Sequence, residues 1–292
     1  MKHFRPRLSR RAFWVLCALL VCLRLALTGF QQAYIWVGGA PLDDELMFRA
    51  ANHITAGQWL GAYDYLTLSK AMFFPVWLAL LHALHLPYLI SGAALWCGAA
   101  LLAAFAFSTL WRKKDTEQGR VLTLGLFAAL AFLPSSWAAY TLRVYRDNIF
   151  PALCLYFFAG MAGMALRAVF TPEKPLWPWL AAAGAGLACG YLDREDAGLF
   201  LLPFAAAATV IVAVVLAGKR RWKALAAQVI PYAMLGVGVL TFCTLNYTHY
   251  GVFALSDFSE GSFAAAMGAM MRVDTDSTAP YLLSLIHISE PT

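Results

Sequence analysis

The stretch Ala71-Met-Phe-Phe-Pro-Val-Trp-Leu-Ala-Leu-Leu-His-Ala-Leu-His-Leu86 decides how this chain is threaded. It is apolar enough to enter a bilayer, but its length of about 16 residues falls short of the roughly 20 that a spanning helix needs. If it crosses, Arg112-Lys113-Lys114 lies on the side opposite the N-terminus, and every later basic loop inverts with it. If it does not cross, the basic loops gather on one side, as the positive-inside rule prefers. The segment therefore reads as a helix lying at the outer interface or dipping into it. Charge decides here against hydropathy.

Outward from that stretch, apolar runs and basic punctuation lay out about seven spans: 12–37, 88–111, 121–139, 149–169, 176–192, 198–217 and 224–246. Lys2, Arg5, Arg7, Arg10 and Arg11 hold the N-terminus in the cytoplasm. The same side then receives Arg112, Lys113, Lys114, Arg120, Arg167, Lys174, Lys219, Arg220, Arg221 and Lys223, so that with the N-terminal five it holds 15 of the 22 basic residues. Arg49, Lys70, Arg143, Arg146, Arg194 and Arg272 fall outside. Arg24 lies within span one, where a charge is costly and is expected to face the bundle interior or pair with an acid.

Composition agrees with a polytopic, all-α membrane protein. Hydrophobic residues make up 61% and charged residues 13%, against roughly 25% charged in an ordinary soluble domain. The net charge of +6 reads as topology rather than as affinity for nucleic acid, because the basic residues sit in short loops. The first apolar segment is too long for a cleaved signal peptide, and no small-residue cleavage site stands out. Cys17, Cys22, Cys97, Cys154, Cys189 and Cys243 all lie in apolar segments without a CxxC pair, so free buried thiols are expected rather than a metal site or a disulfide framework. The last ten residues, 283–292, resemble the translation of a sequencing-library adapter. They are expected to be non-native, and 1–282 to be the N-terminal part of a transmembrane domain.

The acids sort the opposite way from the bases. Asp43, Asp44, Glu45, Asp64, Asp147, Asp193, Glu195, Asp196, Asp257, Glu260, Asp274 and Asp276 fall outside in this topology, while Asp115, Glu117 and Glu173 fall inside. Insertion rules say little about acids, so a carboxylate-rich site on the extracytoplasmic face is the simplest reading.

Each signal also has a plainer account. Asp43 or Asp44 can N-cap a helix over Glu45–Ala56, with Gly57 closing it, and a cap does not exclude a general base. Thr141-Leu-Arg-Val-Tyr-Arg-Asp-Asn148 offers guanidinium forks suited to phosphate, with Asp147 orienting one of them, or simply interfacial snorkelling. Arg194-Glu195-Asp196 is a solvated turn or part of a site. Gly184, Gly186 and Gly190 suit close helix packing rather than a nucleotide loop. His82 and His85 lack a third metal ligand, and Asn246-Tyr-Thr248 fits a glycosylation sequon.

Leu42-Asp-Asp-Glu-Leu-Met-Phe-Arg-Ala-Ala51, Gly57-Gln-Trp-Leu-Gly-Ala-Tyr63 and Leu68-Ser-Lys-Ala-Met-Phe-Phe-Pro75 resemble the first outer loop of GT-C membrane glycosyltransferases. The branch they are similar to contains the protein O-mannosyltransferases and the lipid A aminoarabinose transferase. Asn246-Tyr-Thr-His-Tyr-Gly251 is similar to bacterial members, and the resemblance covers about 12–275. It implies a GT-C-like bundle with juxtamembrane helices in the first outer loop. Catalytic acids are then expected among Asp43, Asp44, Glu45 and Asp147, with Asp44-Glu45 matching the motif form. Lys70, Arg143, Arg146 and Arg194 are expected at the donor phosphate. The loop at Lys70 departs from the Lys-Gly-Pro-Gly-Tyr-Pro common in relatives.

The implied activity is inverting transfer of a sugar from a polyprenyl-phosphate donor to a cell-envelope glycan, lipid or protein acceptor. No cofactor is demanded, and the acidic motif leaves a divalent metal open. The competing class is a transporter or flippase of lipid-linked saccharides, which would place its charges near the midplane and show internal repeats. No repeat is visible, and a purely structural scaffold has no positive feature.

Overall fold

A computed structural model describes residues 8–36, 38, 41–64, 66–111, 116–171, 173–257 and 262–272. Lys2, Arg5, Arg7, Arg112, Lys113, Lys114, Asp115, Glu260, Asp274, Asp276 and the stretch 283–292 lie outside the described residues. Those described form helices and no strand, apart from an isolated parallel bridge between Tyr34 and Arg143.

Helix α1 spans Arg10–Gly29, and its first turn is capped by Ser9, whose hydroxyl accepts from the Ala12 amide at 3.2 Å. The apolar run continues to residue 37, but the helix stops at Gly29 because the backbone beyond finds other partners. The Tyr34 amide donates to the Leu142 carbonyl at 3.2 Å, and the Tyr34 carbonyl accepts from the Val144 amide at 2.9 Å. Helix α2 covers Pro41–Thr55, so it starts earlier than an Asp cap before Glu45 would require. Proline is pre-set for a first helical position, and Asp43 and Asp44 occupy the first turn, where the helix dipole favours anions. Gly57, at φ +74°, follows where the chain turns away.

Helix α3, Phe73–Ala83, is only 11 residues long. Helix α4 runs over Tyr88–Phe107 and tightens into a 3-10 turn through Trp111. Helix α5 is Thr116–Ala131, the single turn α6 is Ala139–Leu142, and α7 is Phe150–Phe170. Then come α8 (Trp177–Asp193), α9 (Ala197–Gly218), the short α10 (Trp222–Ala226), α11 (Ile230–Tyr250) and α12 (Ser262–Met270).

Among the described residues, five helical stretches are long and apolar enough to cross a membrane: Arg10–Gly29, Tyr88–Trp111, Phe150–Phe170, Ala197–Gly218 and Trp222–Tyr250. The protein is an all-α, multi-pass membrane protein. Helices α5 and α8, expected as spans from the apolar pattern, are shorter, at 16 and 17 residues.

Three contacts fix which helix ends share a side. Arg120 donates to the Leu8 carbonyl at 2.6 Å, and Arg24 to the Ser136 carbonyl at 2.8 Å, so α1 and α5 run in the same direction. Tyr88, opening α4, donates to the Arg143 carbonyl at 2.8 Å. The exit of α1 and the entry of α4 therefore meet the same connection, and residues 30–87 return to the end of the bundle that they left. That end carries Asp43, Asp44, Asp147 and Glu195 and is called the acidic end below. The opposite, basic end carries Arg10, Arg120, Lys174 and Lys219.

Small residues set the closeness of the core helices. A Cβ added at Gly186 would stand 2.4 Å from the Phe157 amide nitrogen, and one at Gly160 2.5 Å from that of Ala183. Helices α7 and α8 thus pack antiparallel, nearly backbone to backbone. In lipid, apolar contact alone does not drive helices together, so such packing carries the association. Leu199, Val210, Val214 and Val237 are exposed along α9 and α11, as a lipid-facing surface requires. Arg24 is buried and has no carboxylate partner among the described residues. It donates to the Thr28 hydroxyl at 2.6 Å and lies 3.7 Å over the Trp137 ring, so hydroxyl, carbonyl and π-face replace the acid.

Candidate functional site

The first turn of α2 presents its two aspartates in different surroundings. Asp44 is buried, at 2% exposure. It accepts from Nε of Arg143 at 3.0 Å and also from a terminal nitrogen of that guanidinium, while the Trp36 amide donates to its other oxygen at 2.7 Å. Those bonds to Asp44 outweigh burial and hold the Arg143 guanidinium above its ordinary pKa. Asp43, one position earlier, turns its carboxylate toward partly open space. It pairs with Lys70 at 2.7 Å and lies 3.4 Å from the Tyr145 hydroxyl. Glu45 is exposed and stands outside this network.

Tyr145 is the hub. Its hydroxyl accepts from Arg146 at 2.9 Å and from Lys70 at 3.4 Å, and donates toward Asp43. Its ring lies under two guanidinium groups, 4.3 Å from that of Arg143 and 5.0 Å from that of Arg146. The 3-10 turn Arg146–Asn148 then aims Arg146 inward. There its NH1 donates to the Asp193 carbonyl at 3.0 Å and to both Glu195 oxygens at 2.9 Å. Glu195 also accepts from the Ala71 amide at 2.6 Å, which ties the Lys70 loop to the start of α9. Arg194 bridges Asp147 at 3.2 Å and Asp196 at 3.0 Å.

Asp193, just past the expected span 176–192, is fully buried, and neither carboxylate oxygen has a hydrogen-bond partner among the described residues. Burial pushes its pKa well above the ordinary 3.8, against the pull of Arg146 and Arg194 and with the push of Glu195 and Asp147. Behind the network lies a cavity of about 50 Å³, lined among others by Arg24, Thr28, Ser136, Asp147 and Asn148, with room for a few waters.

The expected site residues therefore meet at one end, as Asp43–Lys70, Asp44–Arg143 and Asp147–Arg194 pairs, with Arg146 turned to Glu195 and Glu45 apart. Sequence reasoning did not single out Tyr145, although an aromatic between two arginines was a readable clue. The backbone donors Trp36 and Ala71 left no sequence signal. The sequon residue Asn246 is buried. Its amide donates to the Ala254 carbonyl at 2.7 Å and its oxygen accepts from Trp59 at 2.9 Å, a packing role that closes it to a glycan. None of the six cysteines is joined in a disulfide.

Among the described residues, no group of three or more His, Cys, Asp or Glu side chains is placed to hold a metal. Asp43, Asp44, Asp147 and Glu195 are each turned to a cation instead, so the donor set does not fit a divalent ion, and no chemistry is routed through one. Comparison with known proteins finds no matching family model, no matching curated protein and no matching solved structure.

Proposed function

We propose that the protein transfers a sugar from a polyprenyl-phosphate donor to an acceptor on the extracytoplasmic face of a cell membrane, as in the GT-C glycosyltransferases it resembles. The observation that carries this reading is Asp43. It is a partly open carboxylate beside Lys70 and Tyr145, at the end of the bundle where the acids gather. The basic residues of the opposite end, by the positive-inside rule, support a cytoplasmic N-terminus and an outward-facing site.

In this mechanism Asp43 takes the proton of the acceptor hydroxyl. The freed oxygen attacks the anomeric carbon from the face opposite the phosphate. The bond from that carbon to the phosphate oxygen breaks, and the electron pair leaves with the lipid phosphate. Inversion follows from the single displacement. Lys70 and Arg194, both only half-buried, are the cations left accessible to the phosphate. Asp44 has a different task. Clamped by Arg143 and the Trp36 amide, it positions the loop rather than moving a proton. Arg143 and Arg146, spoken for by Asp44 and Glu195, hold the frame.

A transporter or flippase would need charges at membrane depth. Arg24 is the charged residue within span one, and Thr28, Ser136 and Trp137 already engage it.

The test uses Asp43→Asn in the membrane-embedded chain, with a labelled polyprenyl-phosphate sugar and native membranes as the acceptor source. Turnover should fall by about 10²–10⁴-fold with donor binding retained. Transfer at the full rate would remove the proposed base and the reading with it.

A further inference from the structure

We propose that the basic end carries a second site, which binds a phosphate group, far from the acidic end and independent of the transferase reading. Two adjoining cavities carry the inference. One, of about 570 Å³, is lined by Arg10, Arg120 and Lys174 together with Trp14, Phe105 and Trp111. The other, of about 110 Å³, is lined by Ser108, Thr109, Arg167, Thr171 and Lys174. Ser108 and Lys174 belong to both.

The smaller cavity ends on donors that lack acceptors. Thr171 is 3% exposed, and its hydroxyl has no hydrogen-bond partner among the described residues. Arg167 lies 3.8 Å over the Trp179 ring and spends one terminal nitrogen on the Phe105 carbonyl at 3.3 Å. Its other terminal nitrogen is buried and has no partner among the described residues. A buried donor left unpaired is costly, so a hydroxyl and a guanidinium nitrogen facing one cavity call for an acceptor. Among the described residues, no carboxylate lines either cavity. Phosphate oxygens supply what is missing: several acceptors, negative charge and a match to guanidinium.

The aromatic walls and the place at the helix ends favour a phosphate borne by a membrane lipid, since basic pockets between helices take anionic headgroups. Arg167 and Thr171 would hold the phosphate oxygens, and Lys174 and Arg120 would supply charge at the mouth.

The experiment is a thermal-unfolding titration of the purified chain in neutral detergent, with phosphatidylglycerol, phosphatidylcholine or inorganic phosphate added. Phosphatidylglycerol should raise the midpoint in a saturable way and phosphatidylcholine should not. Lys174→Ala, at an exposed position that leaves the fold alone, should weaken the apparent affinity roughly fivefold, and Thr171→Val should weaken it as well. Lys223→Ala removes an equal charge at the same end but outside the cavities, and should change nothing. If inorganic phosphate protects as well and responds to the same variants, the site stands and its ligand is the free ion. Equal protection by phosphatidylcholine, or equal weakening by Lys223→Ala, overturns the proposal.

Discussion

Asp44 and Arg143 stand 99 residues apart in the chain, yet the carboxylate takes both Nε and a terminal nitrogen of the guanidinium in a buried contact. Such a pair is costly to break and less costly to remove as a unit, because one charge left alone cannot be rehydrated. Asp44→Ala should therefore destabilise the protein by about 3–5 kcal/mol. The double variant Asp44→Leu with Arg143→Met should recover a large part of that. Thermal midpoints in detergent measure both. A double variant no better than Asp44→Ala would show that the partners do not act as a unit.

Tyr145→Phe keeps the ring under both guanidinium groups and deletes only the hydroxyl shared by Arg146, Lys70 and Asp43. The expected loss is about 0.5–1.5 kcal/mol, the net worth of an ordinary hydrogen bond. Tyr145→Ala should cost distinctly more, because it also removes the cation–π platform. Equal losses from the two variants would assign the whole effect to the hydroxyl.

Asp193 makes stability depend on pH in a direction opposite to that of an ion-paired carboxylate. Its folded-state pKa lies above the unfolded value near 3.8, so the folded protein holds the proton more tightly. Stability should fall as pH rises from that value through the raised folded one. Asp193→Asn abolishes the ionisation. It should gain on the wild type between pH 5 and pH 8, read as the difference in thermal midpoint. A variant that loses ground toward pH 8 would mean that Asp193 is ionised and supported by Arg146 and Arg194.

Gly186→Ala puts a methyl group against the Phe157 backbone and should cost about 1–3 kcal/mol. Gly125→Ala, in a helix with nothing near the new Cβ, should be neutral or stabilising by up to about 1 kcal/mol. The contrast between the two midpoints tests the close approach of α7 and α8 directly.

Reporters fused after Arg120 and after Lys223 should mark one side of the membrane, and those after Asp64 and Gly251 the other. The Tyr250 hydroxyl donates to the Gly61 carbonyl at 2.9 Å, which joins the last two positions at one end. Matching signals at Arg120 and Asp64 would mean that 71–86 crosses.

The helical, multi-pass organisation was legible because long apolar runs and their basic flanks are local features that insertion itself reads. The stretch 30–37 was misleading for a related reason. Phe30, Tyr34, Ile35 and Trp36 look like more span, but hydropathy does not record that the Tyr34 backbone pairs with a distant loop. Asp43 and Asp44 were conspicuous as a pair, and nothing local separated them. Only the long-range reach of Arg143 makes one a buried clamp and leaves the other accessible. Asn246 shows the same limit, since its sequon is a local pattern while its burial depends on Trp59 and Ala254.

The bridge between Tyr34 and Arg143 also sets an order of events at the ribosome. Helix α1 and the acidic turn emerge early, but Arg143 follows Asp44 by 99 residues. At ordinary translation rates that gap lasts on the order of 5–20 s. For that interval the nascent chain holds Asp44 without its guanidinium and Tyr34 without the backbone it pairs with. The acidic end is thus completed late, and a nascent chain arrested before Leu142 would carry Asp44 with the Trp36 amide but without the guanidinium that clamps it.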